Sequence, residues 1–109
     1  MEIAIDEVLH IAEILYESGA LRLRYSRVLS EDGRCWIRHG LFTAYHENGQ
    51  RASEGLYDHG LETGLWRDFH DNGQLAAEGE YLAGKEHGVW QYWDREGREE
   101  EAARYHHGE

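Results

Sequence analysis

The chain has 109 residues, with 12% aromatic side chains, 13 glycines, no proline and one cysteine, and this composition predicts a single folded domain rather than a disordered chain. Its 22 acidic and 11 basic side chains leave a formal charge of −11, which argues against nucleic acid and anionic membranes as direct ligands and favours a basic partner. Because Cys35 has no second cysteine to pair with, and no apolar stretch approaches the length of a signal peptide or a membrane span, we expect a cytoplasmic protein.

The first predicted element is an amphipathic helix over residues 6–17, within a segment, 1–19, that stands apart from the rest. Asp6 suits an N-cap, and Gly19 stands where a left-handed C-terminal cap is expected. Between them, apolar residues fall at helical spacing, namely Val8, Ile11, Ala12 and Leu15. We expect this helix to cap the first exposed edge or face of a sheet, and contact with a partner is the alternative.

From Ala20 onward the pattern changes to strands, and we interpret 20–39 as a degenerate first repeat with a hairpin turn at Asp32-Gly33. Tight turns are predicted at Asn48-Gly49, Asn72-Gly73 and Glu96-Gly97, and looser connections at 58–63 and 82–87. The seven predicted strands are at about 20–30, 34–46, 51–57, 64–70, 75–81, 88–94 and 98–105.

Residues 40–109 repeat with a period of 24 residues, as the units 40–63, 64–87 and 88–109, which align without an insertion. A short fixed period is typical of a quasi-linear array, in which each unit buries its apolar face by stacking on its neighbours. The sequence therefore predicts a mainly β domain over 1–109, a single antiparallel meander of repeated β-hairpins. The structural repeat positions are Phe42, Trp66 and Trp90, Tyr57, Tyr81 and Tyr105, Gly55 and Gly79, and Gly64 and Gly88 with their counterpart Gly40.

The register follows if each Asn-Gly pair closes a two-residue loop. An aromatic residue opposite a glycine fills the space of the missing side chain and shields bare backbone, and this arrangement is predicted throughout. The predicted pairs are Trp66 with Gly79, Phe69 with Ala76, Tyr81 with Gly64, Phe42 with Gly55, Tyr57 with Gly40, Trp90 with Ala103, Tyr105 with Gly88, and the ion pair Arg67 with Glu78.

The pattern Gly-x-Trp/Phe-x-x-aromatic-x-x-Asn-Gly, followed by Glu-Gly-x-Tyr-x-x-Gly, resembles the MORN repeat in the bacterial variant found in proteins grouped as YwqK-type antitoxins. The resemblance covers 40–109 well and 20–39 loosely. The third unit departs from it, with Glu96 in place of Asn and Ala102-Ala103 in place of Glu-Gly. The resemblance implies a hairpin array and, for the bacterial branch, a protein that neutralises a toxin by binding it; eukaryotic arrays are associated with membrane lipids and scaffolding.

The eight histidines suggest a metal site, but their spacing argues against one. His46 and His70 occupy equivalent places in successive units, about 10 Å apart, which is too far for both to bind one zinc ion. His106-His107 would join them only as a tail. We therefore expect no metal site, and partly exposed histidines that gain charge below about pH 6.5.

Catalysis is not expected either, because no catalytic triad, phosphate-binding loop or paired-carboxylate motif is present in the sequence. We predict that the protein is not an enzyme, needs no cofactor, and uses Cys35 as a small buried hydrophobic residue.

Acidic residues are the candidate partner-binding set. If alternate turns of a meander share an edge, Asp32, Glu47, Asp71 and Glu96 should form an acidic ridge that attracts a basic partner. The alternative is a solubility surface that also protects an exposed terminal strand. The full set is Asp32, Glu47, Asp71, Asp94, Glu96, Glu99, Glu100 and Glu101.

The leading functional hypothesis is an antitoxin or immunity protein that binds and neutralises a basic, nucleic-acid-targeting toxin. The alternative is a scaffolding module that self-associates, as a weak homodimer or a larger assembly, through residues 98–105 or through its aromatic face.

Overall fold

A computed structural model describes residues 9–106 and 108, and every regular element in them is a β-strand. Eight antiparallel strands form one open sheet in which the spatial order follows the chain order. The strands are β1 His10–Leu15, β2 Leu21–Leu29, β3 Trp36–Tyr45, β4 Arg51–Asp58, β5 Leu61–Phe69, β6 Leu75–Leu82, β7 Lys85–Trp93 and β8 Glu99–Tyr105. The predicted meander is confirmed, and β2 to β8 correspond to the seven predicted strands.

The predicted N-terminal helix is wrong. Asp6 and Val8 lie outside the described residues, but His10–Leu15 is extended and pairs with β2, with Ile11 opposite Ser26. A short apolar segment fits helical and extended spacing almost equally well. The extended conformation is favoured over the helix because β1 provides hydrogen-bond partners for the backbone of β2, which would otherwise be an open edge.

Four turns at one edge of the sheet share one geometry. In each, the first residue donates its N–H to the carbonyl of the fifth, and a glycine in the left-handed region donates back to the first. This is a three-residue loop with a glycine bulge, whereas the sequence predicted two-residue loops. The four turns, which define the Tyr16 edge, are Tyr16–Ala20, His46–Gln50, His70–Gln74 and Asp94–Arg98. Gly19 therefore belongs to a hairpin turn, and β1 with β2 forms a further degenerate unit.

The extra loop residue does not change the predicted register of the hairpin beyond the turn. A bulge between Asp68 and Phe69 restores the pairing, so Trp66 lies opposite Gly79 as predicted, while Phe69 pairs with Leu75 rather than Ala76. The other predicted pairs are confirmed, namely Phe42 with Gly55, Tyr57 with Gly40, Tyr81 with Gly64, Arg67 with Glu78, Trp90 with Ala103 and Tyr105 with Gly88.

The connections at the opposite edge are tighter than predicted. Asp58 pairs with Leu61, and Leu82 pairs with Lys85, so each connection is a two-residue loop. His59-Gly60 and Ala83-Gly84 have positive φ at both residues, as a type I′ turn requires. We name this side, with its turns at 30–35, 58–61 and 82–85, the Gly60 edge.

Trp66 and Trp90 each pack against the unit before their own. The ring of Trp66 lies on Gly55 and the ring of Trp90 lies on Gly79, so closely that a Cβ on either glycine would overlap the indole. The indole N–H groups donate to the carbonyls of Leu56 and Glu80, each at 3.0 Å. The predicted seating of rings on glycines is confirmed, but the glycine belongs to the neighbouring strand of the preceding hairpin.

The rings form a continuous ladder that bridges the units. Ring centroids are 5.6 Å apart for Phe42 and Trp66, 5.7 Å for Trp66 and Tyr81, and 5.2 Å for Tyr81 and Trp90. Such pairs each contribute about 0.5–1.5 kcal/mol beyond area burial. Phe42, Trp66 and Trp90 are 8%, 6% and 3% exposed, although the described chain adds no second layer to the sheet. The rings therefore bury one another.

We predict that Gly55→Ala destabilises the protein by about 1–3 kcal/mol, because the new Cβ overpacks against the Trp66 ring. Gly55 does not need a positive φ, so the cost does not come from the backbone. Chemical denaturation of the four proteins in a cycle with Trp66→Leu measures it. The cost should shrink in the Trp66→Leu background, and an equal cost in both backgrounds would contradict the ring-on-glycine contact.

We also predict an alkaline loss of stability that depends on Tyr81. Burial, followed by the Glu86 and Glu62 carboxylates, raises the pKa of Tyr81 from 10.0 to about 12. The folded state holds the phenol proton more tightly, so this contribution is complete below pH 10 and is lost as the pH rises toward about 12. Tyr81→Phe keeps the ring but cannot ionise, so its unfolding free energy should decline less over this range in urea titrations at stepped pH. Identical declines would refute the assignment.

Candidate functional site

The two faces of the sheet differ in what they bury. The ring face carries Phe42, Trp66 and Trp90, whose rings cover one another. Because side chains alternate along a strand, the opposite face, here called the outer face, carries the pairs Leu41 with Leu56 and Arg67 with Glu78. Within the described chain all strands belong to this one sheet, so no other element packs on the outer face.

An apolar row lies on the outer face. Leu41 is 69% exposed, and Leu56 and Leu65 are 44% and 47% exposed. A solvated sheet face normally carries polar residues at such positions, and a contiguous exposed apolar surface marks a binding site. We call these three residues the leucine row. They line a shallow groove of about 190 Å³ together with Thr43, Glu54 and Arg67.

A row of charges runs beside the leucine row on the same face. Arg67 lies between two carboxylates, 2.6 Å from Glu78 and 3.9 Å from Glu54, and Arg51 contacts Glu54 at 2.6 Å. Pairs exposed to this extent contribute only about 0.2–1 kcal/mol each to stability. Their main effect is to hold the carboxylates in fixed positions next to an apolar groove, which is the composition of an interface rim.

The predicted acidic ridge is wrong in one member. Glu47, Asp71, Asp94 and Glu96 lie at the Tyr16 edge, but Asp32 lies in the connection between β2 and β3, at the opposite edge. There the Asp32 carboxylate accepts hydrogen bonds from the Ser30 hydroxyl at 2.6 Å and the Arg34 N–H at 3.0 Å, which lower its pKa. These bonds give Asp32 a structural role in its own turn.

Arginines neutralise part of the remaining ridge. Arg95 pairs with Asp71 and lowers its pKa. Arg98 contacts Asp94 at 2.9 Å and Glu96 at 3.1 Å, and the backbone N–H of Arg98 is the largest cause of the lowered pKa of Asp94. The ridge is therefore a mixed-charge edge. Further carboxylates lie exposed on β8, at Glu99, Glu100 and Glu101.

His46 and His70 have structural roles that the sequence did not predict. Each donates from Nε2 to a carbonyl of the next unit, that of Phe69 and that of Trp93, both at 2.8 Å. The Tyr16 hydroxyl likewise donates to the carbonyl of Tyr45, at 2.7 Å. Equivalent positions thus tie successive hairpins together along the Tyr16 edge.

Two further findings concern Cys35 and the possibility of a membrane-spanning helix. Cys35 is exposed, so its predicted burial is wrong. Among the described residues no helix is long and apolar enough to cross a membrane.

Comparison with known families identifies the repeat. Residues 38–59 and 62–83 each match the MORN repeat variant, and each match spans one hairpin of the array. Two of the hairpins are therefore MORN-type repeats. The third unit lies outside both matches, in keeping with Glu96 and Ala103 at positions where the other units have Asn and Gly. No curated protein and no solved structure matches this chain. The relation to YwqK-type antitoxins stays a prediction.

Proposed function

We propose that this protein is a non-catalytic binding module that acts in the cytoplasm as an antitoxin or immunity protein and neutralises a basic toxin. The observation that carries the proposal is the leucine row, exposed beside fixed carboxylates on the outer face. MORN repeats are in general modules that bind proteins or membranes. A formal charge of −11 favours a basic protein over an anionic membrane.

The negative charge is concentrated in the C-terminal half of the chain, which would attract a basic partner to that part of the sheet. Residues 52–109 hold 14 of the 22 acidic side chains but five of the 11 basic ones, and so carry −9 of the formal charge. A toxin that acts on nucleic acid presents a positive cleft, and carboxylates can take the place of phosphates in such a cleft. Complementary charge of this kind accelerates association.

The leucine row supplies an apolar surface, which charge complementarity alone does not provide. Binding energy at an interface concentrates in apolar anchors that become fully desolvated, surrounded by a polar rim. Leu41, Leu56 and Leu65 flank a groove that accepts such an anchor, with Glu54 and Arg67 at its border. Blocking a cleft needs only this complementarity of shape and charge, and no catalytic group.

The proposal predicts that Leu41→Ser/Leu56→Ser weakens partner binding at least tenfold. The experiment is capture of the partner from the source cell, its identification, and titration with purified proteins. Leu61→Ser/Leu82→Ser removes two leucines of similar exposure at the Gly60 edge and serves as the control. A partner that is not toxic when expressed alone, or equal losses in both variants, would overturn the proposal.

The electrostatic part has its own test. The association rate of the complex should fall steeply as salt rises, because screening shortens the reach of the charges. An association rate that does not change between low and high salt would remove this part and leave the leucine row as the basis of binding.

A scaffolding module that self-associates is the second candidate. The observation in its favour is that, among the described strands, β1 and β8 each pair on one side only, and β1 exposes Ile11 and Ile14. Like charges at Glu99, Glu100 and Glu101 oppose the pairing of two β8 strands. Light scattering separates the candidates: a concentration-dependent dimer or filament favours the scaffold, and a stable monomer favours the toxin binder.

A further inference from the structure

Three possible metal ligands meet at the Gly60 edge. His39 lies on β3, Asp58 ends β4, and His59 is the first residue of the following turn. The Asp58 carboxylate oxygen is 2.8 Å from Nδ1 of His59 and 3.9 Å from Nδ1 of His39. Each residue offers one ligand atom within 4.8 Å of the others.

A backbone hydrogen bond at the turn helps to bring the three residues together. The Gly60 N–H donates to the Arg38 carbonyl at 2.7 Å, which fixes the turn against the residue before His39. The same bond recurs one unit later, from Gly84 to Glu62 at 3.0 Å. The three residues therefore lie close together before any ion binds, as an effective metal site requires.

We propose that His39, Asp58 and His59 bind a divalent transition-metal ion, with Zn²⁺ as the best match. Zinc–nitrogen and zinc–oxygen bonds of about 2.0–2.2 Å in a tetrahedron separate neighbouring ligand atoms by about 3.3–3.5 Å. The observed spacings lie on both sides of that value, so small side-chain movements suffice. Three protein ligands leave the fourth position to water.

The hydrogen bonding and exposure of the cluster also suit an ion. The Nδ1 of His39 accepts the backbone N–H of His59 at 2.9 Å, so this nitrogen offers the lone pair that a metal ligand needs. Coordination through Nδ1 would displace that N–H. The side chain of His39 is 23% exposed, and those of Asp58 and His59 are more than half exposed, which gives an ion access from solvent.

The repeats provide an internal comparison. In the second unit the equivalent positions hold Thr63, Leu82 and Ala83, which cannot form such a site, yet the turn has the same geometry. In the third unit they hold His87, His106 and His107. The rings of His87 and His106 are 6.2 Å apart, and His107 lies outside the described residues. Ligand-type residues thus vary among units that fold alike.

This comparison supplies the test variants. The background His87→Thr/His106→Leu/His107→Ala removes the histidines of the third unit and leaves the proposed site intact, and calorimetric titration with ZnCl₂ should give one ion per chain. Adding His39→Thr/Asp58→Leu/His59→Ala places the residues of the second unit in the first. The turn of the second unit has the same geometry with these residues, so we expect the variant to fold. Zinc affinity should fall at least tenfold, and the rise in unfolding temperature that zinc causes should disappear.

Controls separate the site from the other histidines and from misfolding. His46→Asn and His70→Asn should leave the zinc affinity unchanged, and circular dichroism should show that each variant folds. Asp58→Asn, a conservative single change, should weaken binding even if the triple change unfolds the protein. Equal zinc binding with and without the triple change, or a Kd weaker than about 1 mM in the single-site background, would overturn the proposal.

Discussion

The contact of the Trp66 and Trp90 indoles with the bare backbone of the preceding unit is the constraint on which this structure depends. The residues that the structure describes form one sheet with no opposing layer to bury its aromatic residues, so the rings must cover one another. Trp66 on Gly55 and Trp90 on Gly79 do this across the boundary between hairpins, and each indole N–H finds a carbonyl there. The array therefore gains its cooperativity from nearest-neighbour contacts, as repeat proteins generally do. At Ala103 the equivalent position carries a Cβ, so a further indole could not dock in the same way.

This arrangement explains why the outer face is available for binding. Since the ring face satisfies its own apolar surface, the outer face has no structural duty beyond strand pairing. Leu41 and Leu56 nevertheless remain apolar there while Glu54 and Arg67 hold paired charges beside them. Apolar residues that add nothing to a core and reduce solubility need another reason to be present, and partner binding supplies one.

The 24-residue period made most of the fold predictable, because the ring and glycine positions fix the register of β3 to β8. The turn type was not predictable, since an Asn-Gly pair suits both a two-residue loop and a three-residue loop with a bulge. The missed strand β1 had a signal: Tyr16-Glu17-Ser18-Gly19 matches His46-Glu47-Asn48-Gly49 in form. The leucine row was hidden because its residues look like core positions until the sheet proves to have one layer.

The two edges of the sheet differ in how they join successive hairpins. At the Tyr16 edge, side chains such as Tyr16, His46 and His70 tie one hairpin to the next, so their identity matters for folding. At the Gly60 edge, the glycine N–H groups make the equivalent ties through the backbone. A side chain next to a backbone tie can change without loss of the turn, as Ala83 in the place of His59 demonstrates. Residues at the Gly60 edge are thus open to selection for chemistry, which is why a histidine and carboxylate cluster there bears on ligand binding rather than on folding.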